Sequence, residues 1–142
     1  MSNIDVTQLV TAETLAAKTK AQTVQTIADT RFLYETKGII WNNYLIATDR
    51  DSQSKLAQAQ LAVIKGIRTE NDGWKCYDIA NEATIFRATT NTEMGEIADY
   101  GYKYVAECFA REQVLLAAVN DGTYTDSMLT EGWPDTTVKS SE

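Results

Sequence analysis

Acidic and hydroxyl side chains are concentrated in the segment TDRDSQSK, residues 48–55. Carboxylates two positions apart, at Asp49 and Asp51, could bind a divalent cation. A calcium loop of the EF-hand type needs glycine at its sixth position and glutamate at its twelfth. Counted from Asp49, those positions hold Ser54 and Gln60. No glycine-rich phosphate loop accompanies the segment either, so its residue types are not arranged in a known cation or nucleotide motif.

Groups for nucleophilic or acid–base catalysis are also sparse. Ser52 and Lys55 have the spacing of a Ser–Lys pair, but such pairs are common on helix surfaces. The chain contains no histidine, which removes the commonest general base and the commonest metal ligand. Cys76 and Cys108 form no metal-binding spacing, and we expect two buried free thiols, with a disulfide as the alternative. The remaining candidate acids have the spacing of a solvated helix face: Glu93, Glu96 and Glu107. We therefore predict no enzymatic activity, no metal and no cofactor.

A helix start explains the acidic segment more simply. Thr48 can accept a hydrogen bond as the N-cap, with Asp51 three residues later reaching back to it. Asp49 and Asp51 are both favoured near the positive end of a helix. The sequence therefore predicts that Thr48, Asp49 and Asp51 cap a helix.

Helical periodicity is weak at the N-terminus and strengthens from Val24. Six threonines fall between positions 11 and 30, with few large apolar residues. Val24, Ile27 and Tyr34 share one helical face, and Lys37-Gly38 is a typical helix end. The region before Val24 is too weakly apolar to bury itself alone, so it packs on another subunit or stays partly disordered in isolation.

Two hairpins are predicted in the middle of the chain. GIIW and YLIAT flank Asn42-Asn43, a pair that tolerates the positive φ angles of a tight turn. WKCYD and ATIFR form a second strand pair around IANE. A helix over residues 49–68 lies between the hairpins. Its apolar stripe is broadened by Ala57, Leu61 and Ile64, so we expect this helix to be well buried.

A long helix follows the second hairpin. Thr90 precedes Glu93 at capping-box spacing, and residues 120–122, Asn-Asp-Gly, end the helix. Tyrosines alternate along it over a broad arc, which leaves core and interface positions both open. The candidate interface residues are Val24, Ile27, Tyr100, Tyr102, Tyr104 and Trp133.

The net charge of −7 is unevenly distributed. Residues 89–142 carry ten acids and three bases, whereas the acids and bases before them balance. This disfavours nucleic acid and anionic membranes as partners, and it suits either solubility or a basic protein partner. There is no apolar run of membrane-spanning length and no signal-peptide pattern, so we expect synthesis and folding in the cytoplasm.

The stretch RFLYETKGIIWNNYLIATDRDSQSKL resembles the signature of a domain-of-unknown-function family found in tailed-phage and prophage proteins. Trp74-Lys75, the stretch CFAREQVLLAAV and residues 132–134, Gly-Trp-Pro, also fit, so the resemblance covers roughly residues 28–134. One departure is Asn42-Asn43, where the family usually has a glycine. The resemblance carries no catalytic residues. It implies a structural protein of the baseplate or tail-fibre attachment, or alternatively a fibre-assembly chaperone that does not stay in the virion.

Together these features predict an α+β fold: three main helices packed on a small antiparallel sheet of two hairpins. We expect a helical interaction arm at residues 1–27, a compact domain at residues 28–134 and a flexible tail at residues 135–142. The expected partners are other phage tail proteins and further copies of the chain. We expect the protein to be made in the host cytoplasm and assembled into the virion tail.

Overall fold

The computed structural model describes residues 6–141 of the chain, with side chains from residue 16 onward. It is an α+β fold of three helices and five strands, with one 3-10 turn at Asp126–Thr130. The helices are α1 (Val6–Glu35), α2 (Arg50–Ile64) and α3 (Asn91–Asp121). The strands are β1 (Ile39–Trp41), β2 (Tyr44–Ile46), β3 (Gly73–Asp78), β4 (Ala83–Ala88) and β5 (Thr137–Lys139).

All five strands belong to one mixed sheet in the order β4-β3-β2-β1-β5. Neighbouring strands are antiparallel except β1 and β5, which are parallel. The prediction of an antiparallel sheet of two hairpins was therefore incomplete. Both hairpins exist, but β2 pairs with β3 to join them, and the expected tail supplies a fifth strand. Backbone groups hold that strand: Ile40 N–H donates to the Thr136 carbonyl at 2.7 Å, and Asn42 N–H to the Lys139 carbonyl at 3.0 Å.

The β1–β2 turn confirms the prediction at Asn42-Asn43. Their φ angles are 47° and 67°, and Trp41 pairs with Tyr44 across the turn. Two positive φ angles in a two-residue loop define a type I′ turn, whose twist matches that of the flanking strands. Asparagine tolerates this conformation, so no glycine is needed.

One face of the sheet packs against the helices and forms the core. Its fully buried members come from the first two strands and from α3: Ile39, Trp41, Ile46, Met94, Ile97 and Cys108. Two residues expected at an interface are buried as well: Tyr104 lies in this core, and Ile27 is buried on α1 outside this cluster. Because neither side chain reaches the surface, the interface prediction is wrong for these two residues.

Helix α2 is much less buried than its apolar stripe predicted. Only Leu56 is buried, whereas Leu61 is 50% exposed and Ile64 is 76% exposed. The helix contacts the body along one narrow side, where a Cβ at Gly101 would come within 3.1 Å of Leu56 Cδ1. Periodicity predicts which side of a helix can be buried, but not whether a neighbour covers all of it.

Helix α1 runs antiparallel to α3. The Tyr104 hydroxyl donates to the Tyr34 carbonyl at 2.5 Å, and Arg31 Nε lies 3.3 Å from Glu112 Oε1. Lower residue numbers in α1 therefore lie beside higher residue numbers in α3. The C-terminal half of α1 therefore packs on the C-terminal part of α3.

The N-terminal half of α1 extends beyond this contact. Gln22 lies nine residues before Arg31 in α1, and Asp121 lies nine residues after Glu112 in α3. Because Arg31 and Glu112 are paired, Gln22 is level with Asp121, the last residue of α3. Residues 6–22, which we call the arm, continue past that end, and their side chains from residue 16 onward are all exposed. The first five residues of the predicted arm lie outside the described part of the chain.

Candidate functional site

A buried carboxylate lies where α1, α2 and α3 meet. Glu35, the last residue of α1, is completely buried. Arg50 holds both of its oxygens, with Nη2 3.1 Å from Oε1 and Nε 2.5 Å from Oε2. Arg31 bonds Oε1 as well, and Gln53 Nε2 donates to Oε2 at 2.9 Å. Residues at four positions of the signature stretch thus form one polar network.

Hydrogen bonding keeps this carboxylate ionised. Burial raises the pKa of Glu35, but hydrogen bonds from Arg50, Gln53 and Arg31 outweigh it and leave the pKa below its ordinary value of 4.5. The side chains that donate to the Glu35 carboxylate are those of Arg31, Arg50 and Gln53. The arrangement suits a structural ion pair, because no side of the group faces solvent.

The sequence assigned the N-cap of α2 to Thr48, but in the structure Asp49 is the N-cap and Thr48 has a different role. The Asp49 carboxylate is the N-cap of α2, accepting from Ser52 N–H at 3.2 Å and from the Ser52 hydroxyl at 2.5 Å. These bonds lower the pKa of Asp49. Thr48 is buried: its hydroxyl donates to the Glu35 carbonyl at 2.7 Å and accepts from Gly38 N–H at 2.8 Å. The prediction that Thr48 is the N-cap was therefore wrong, because its hydroxyl joins α1 to α2.

Replacing Asp49 with alanine should destabilise the protein by about 1 kcal/mol, because two donors at the start of α2 lose their acceptor. Asp51 provides the matched control, since its exposed carboxylate lies in the same turn and bonds only Lys55, at 3.0 Å. Asp51→Ala should change stability by less than about 0.5 kcal/mol. Urea unfolding of both variants measures the difference, and equal losses would contradict the assignment of the cap.

Among the side chains from residue 16 to residue 141, no three potential ligands of the His, Cys, Asp or Glu type are grouped around one point. Cys76 and Cys108 are free, buried thiols. Burial raises the pKa of Cys108 to about 11, so this thiol stays protonated and is a poor nucleophile at neutral pH.

A second charged cluster surrounds Trp41 at the start of α3. Trp41 Nε1 donates to Glu96 Oε1 at 3.1 Å, and Lys139 Nζ lies 2.6 Å from the same oxygen. The Arg87 guanidinium lies over the Trp41 ring at 5.0 Å and bonds Glu93 at 2.9 Å. The sequence assigned Glu93 and Glu96 to a solvated face. Their partners come from β1, β4 and β5, so helical spacing alone could not reveal them.

The remaining candidate interface residues differ in exposure and contacts. Trp133 stacks on Tyr34 with ring centroids 4.8 Å apart, which fixes the segment after α3 against α1. Val24 and Tyr100 are half-buried, whereas Tyr102 is 78% exposed. Of these, Tyr102 is the residue available to a partner.

Two apolar grooves remain open in the part of the chain that the structure describes. The first, which we call the sheet groove, has a volume of about 730 Å³. Its apolar lining includes Leu45, Tyr77 and Phe86, which point away from the helix-covered face of the sheet. Three lysines also line it: Lys37, Lys55 and Lys75.

The second groove lies between α2 and α3 and has a volume of about 540 Å³. We call it the helix groove. Ala57 lines it from α2, and Ala98 and Gly101 line it from α3. Asp99 is the one charged residue in its lining, and it accepts from Gln60 Nε2 at 2.5 Å. Larger residues line it as well, so a third helix could approach the α2–α3 pair closely only along the strip formed by Ala57, Ala98 and Gly101.

The fold and its surfaces define a small α+β domain with ion-paired internal clusters and two open apolar grooves. The chain belongs to the family described as "Domain of unknown function (DUF4376)", which matches residues 18–131. The match begins inside the arm and ends before β5. No curated protein and no solved structure matches the chain. Within residues 6–141, no helix combines the length and apolar character needed to cross a membrane.

Proposed function

We propose that this protein is a non-enzymatic bacteriophage tail protein, a structural component of the baseplate or tail-fibre attachment that acts through protein–protein contacts. The tail context comes from the resemblance of the signature stretch. The observation that supports a contact role is the sheet groove, because an antiparallel sheet normally turns a polar face to water. Here that face carries Phe86, which is 73% exposed, beside Tyr77 and Leu45.

The charges of the sheet groove indicate what kind of segment would bind there. Lys37, Lys55 and Lys75 line it, and the positive end of α2 adds to their field. Asp49 is the one acid among its lining residues, and Lys55 is ion-paired with Asp51 at 3.0 Å. The excess positive charge of the groove therefore comes from Lys37 and Lys75. Its occupant is a segment of another tail protein that presents apolar side chains flanked by carboxylates.

Mass spectrometry of purified phage particles tests the structural role. We expect the protein in mature particles at a constant ratio to the other tail proteins. Absence from particles, combined with a higher yield of soluble fibre protein on co-expression, would instead establish the chaperone function. Absence without that effect would overturn both forms of the proposal.

Replacing Phe86 with glutamate should reduce incorporation into particles at least tenfold, because it removes the most exposed large apolar side chain of the sheet groove and puts a charge there. The matched control is Val114→Glu, which makes the same chemical change at a 53% exposed position on α3. Both variants should keep the melting temperature of the original protein. Equal incorporation of the two variants would exclude the sheet groove as the contact surface.

A further inference from the structure

We infer that the arm of one copy docks in the helix groove of a second copy, so that the protein self-associates. This inference goes beyond the proposed tail function and uses different surfaces. It rests on three features of the described chain: a helical segment that is exposed from residue 16 to residue 22, a groove that fits a helix, and opposite charges on the two.

The arm extends past the end of α3, and its described side chains are exposed. Ala17 and Ala21 continue the side of α1 that carries Val24 and packs on α3, but α3 has ended at this level. This side of the helix is therefore bare from residue 16 to residue 22. An isolated helix of this length, rich in threonine, is only marginally stable in water, so a partner would stabilise it.

The arm cannot reach the groove of its own chain. The helix groove lies at the N-terminal third of α3, around Asp99 and Gly101. The arm leaves α3 at the opposite end, beyond Asp121. Twenty helical residues between Gly101 and Asp121 correspond to about 30 Å, and the arm points further away. Contact between the two therefore requires a second copy.

The shape of the groove suits a docked helix. Its lining of Ala57, Ala98 and Gly101 allows close approach of a backbone. Large apolar side chains stand exposed along its length, with Leu61 one turn beyond Ala57 and Tyr102 next to Gly101. This combination is typical of surfaces that bind a helix through residues spaced three and four apart. Alanines on the arm match the small residues of the groove.

Charge distinguishes the arm from other possible occupants. The arm carries Lys18 and Lys20 against one acid, Glu13, so its part from residue 16 to residue 22 is positively charged. The helix groove has the opposite character, since Asp99 is the one charged residue in its lining. A second copy of this chain therefore supplies a helix of complementary charge.

Sedimentation velocity of the full-length chain over a range of concentrations and salt tests the inference. We expect concentration-dependent association of the original protein that weakens as salt rises. Asp99→Lys alone and Lys18→Glu/Lys20→Glu together should each weaken association about tenfold, because each places like charges together. Combining both changes in one chain should restore association. Asp126→Lys, which makes the same change in net charge at an exposed site outside the groove, should associate like the original protein.

Cross-linking gives a second readout that does not depend on charge. A chain carrying Ala21→Cys is mixed with a chain carrying Ala57→Cys, and the mixture is oxidised. Both native cysteines are buried, so in buffer the mixed disulfide dimer should be the main product, whereas in urea the exposed native thiols should give an unselective mixture of disulfides. A monomer at every concentration, or an oligomer without charge rescue and without the mixed disulfide, would overturn the inference. Neither result would bear on incorporation into phage particles, which depends on the sheet groove.

Discussion

Replacing Glu35 with alanine should lower the free energy of unfolding by about 2–3 kcal/mol, because it removes a completely buried, charged hydrogen-bond acceptor that joins α1 to α2. Arg31 keeps its pair with Glu112, and Arg50 is 58% exposed, so neither guanidinium is left buried and unpaired. Arg31 is only 13% exposed and lies 4.4 Å from the Phe109 ring centroid, so it cannot turn to water without losing that contact. Arg50 sits in the first turn of α2, where the helix dipole disfavours a cation. Urea unfolding followed by circular dichroism measures the loss.

The matched control for this change is the exposed pair of Asp51 and Lys55. It has the same spacing of four residues as Arg31 and Glu35, and its atoms are 3.0 Å apart, but both side chains are mostly exposed. Lys55→Ala should therefore cost less than about 0.5 kcal/mol. A loss at Glu35 no larger than the loss at Lys55 would show that the buried network does not hold the helices together.

The Glu35 carboxylate should also make the free energy of unfolding depend on pH in the acid range. Its pKa is lowered in the folded protein, so its contribution is complete above the unfolded value near 4.5 and is lost as pH falls through the folded pKa. Glu35→Gln keeps the shape of the side chain and removes this titration. The acid side of its stability curve should be shallower than that of the original protein, and an unchanged slope would assign the acid sensitivity to other groups.

Local signals in the sequence were sufficient for several elements of the fold. Thr90 and Glu93 form the predicted capping box, with Glu93 N–H donating to the Thr90 hydroxyl at 3.0 Å. Gly122 ends α3 in the left-handed conformation, with φ at 80°. Each signal depends on residues within about four positions of one another, so a single stretch of sequence contains the whole interaction.

Features that depend on distant residues were not predictable in the same way. The sequence places Arg50 fifteen positions after Glu35, across a hairpin, and nothing in its periodicity indicates that they meet. Strand β5 has three residues and a single half-buried apolar side chain, Val138, so it shows no alternating pattern. Its position is set by backbone hydrogen bonds to β1, which any sequence without proline could make.

In the candidate site too, the features set by neighbouring residues were predictable and those set by distant residues were not. The acidic segment was correctly assigned to a helix start, because N-capping uses neighbouring residues. Which hydroxyl or carboxylate would cap the helix depended on whether Thr48 was buried, and burial is a property of the whole fold. The exposure of Leu61 and Ile64 has the same cause, because it depends on what lies beside α2.

Replacing Trp41 with alanine should cost about 3–5 kcal/mol, and it should loosen β5 before the rest of the sheet. The side chain is fully buried, and its loss leaves a large cavity between the sheet and α3. It also removes a contact of β5, because Lys139 Nζ lies 5.8 Å from the Trp41 ring. Amide hydrogen exchange should therefore show the N–H groups of Ile40 and Asn42, which donate to carbonyls of the β5 segment, exchanging much faster than those of β3.

A milder change at the same position separates packing from hydrogen bonding. Trp41→Phe retains an aromatic ring between Arg87 and Lys139 but loses the N–H that donates to Glu96. The ion pair between Lys139 and Glu96 remains, so this variant should lose less stability than Trp41→Ala and keep the N–H groups bonded to the β5 segment protected. If these N–H groups exchange equally fast in both variants, the indole hydrogen bond fixes the strand. If they stay protected even in Trp41→Ala, the backbone bonds to β1 and the Lys139–Glu96 pair are sufficient, and Trp41 stabilises only the core.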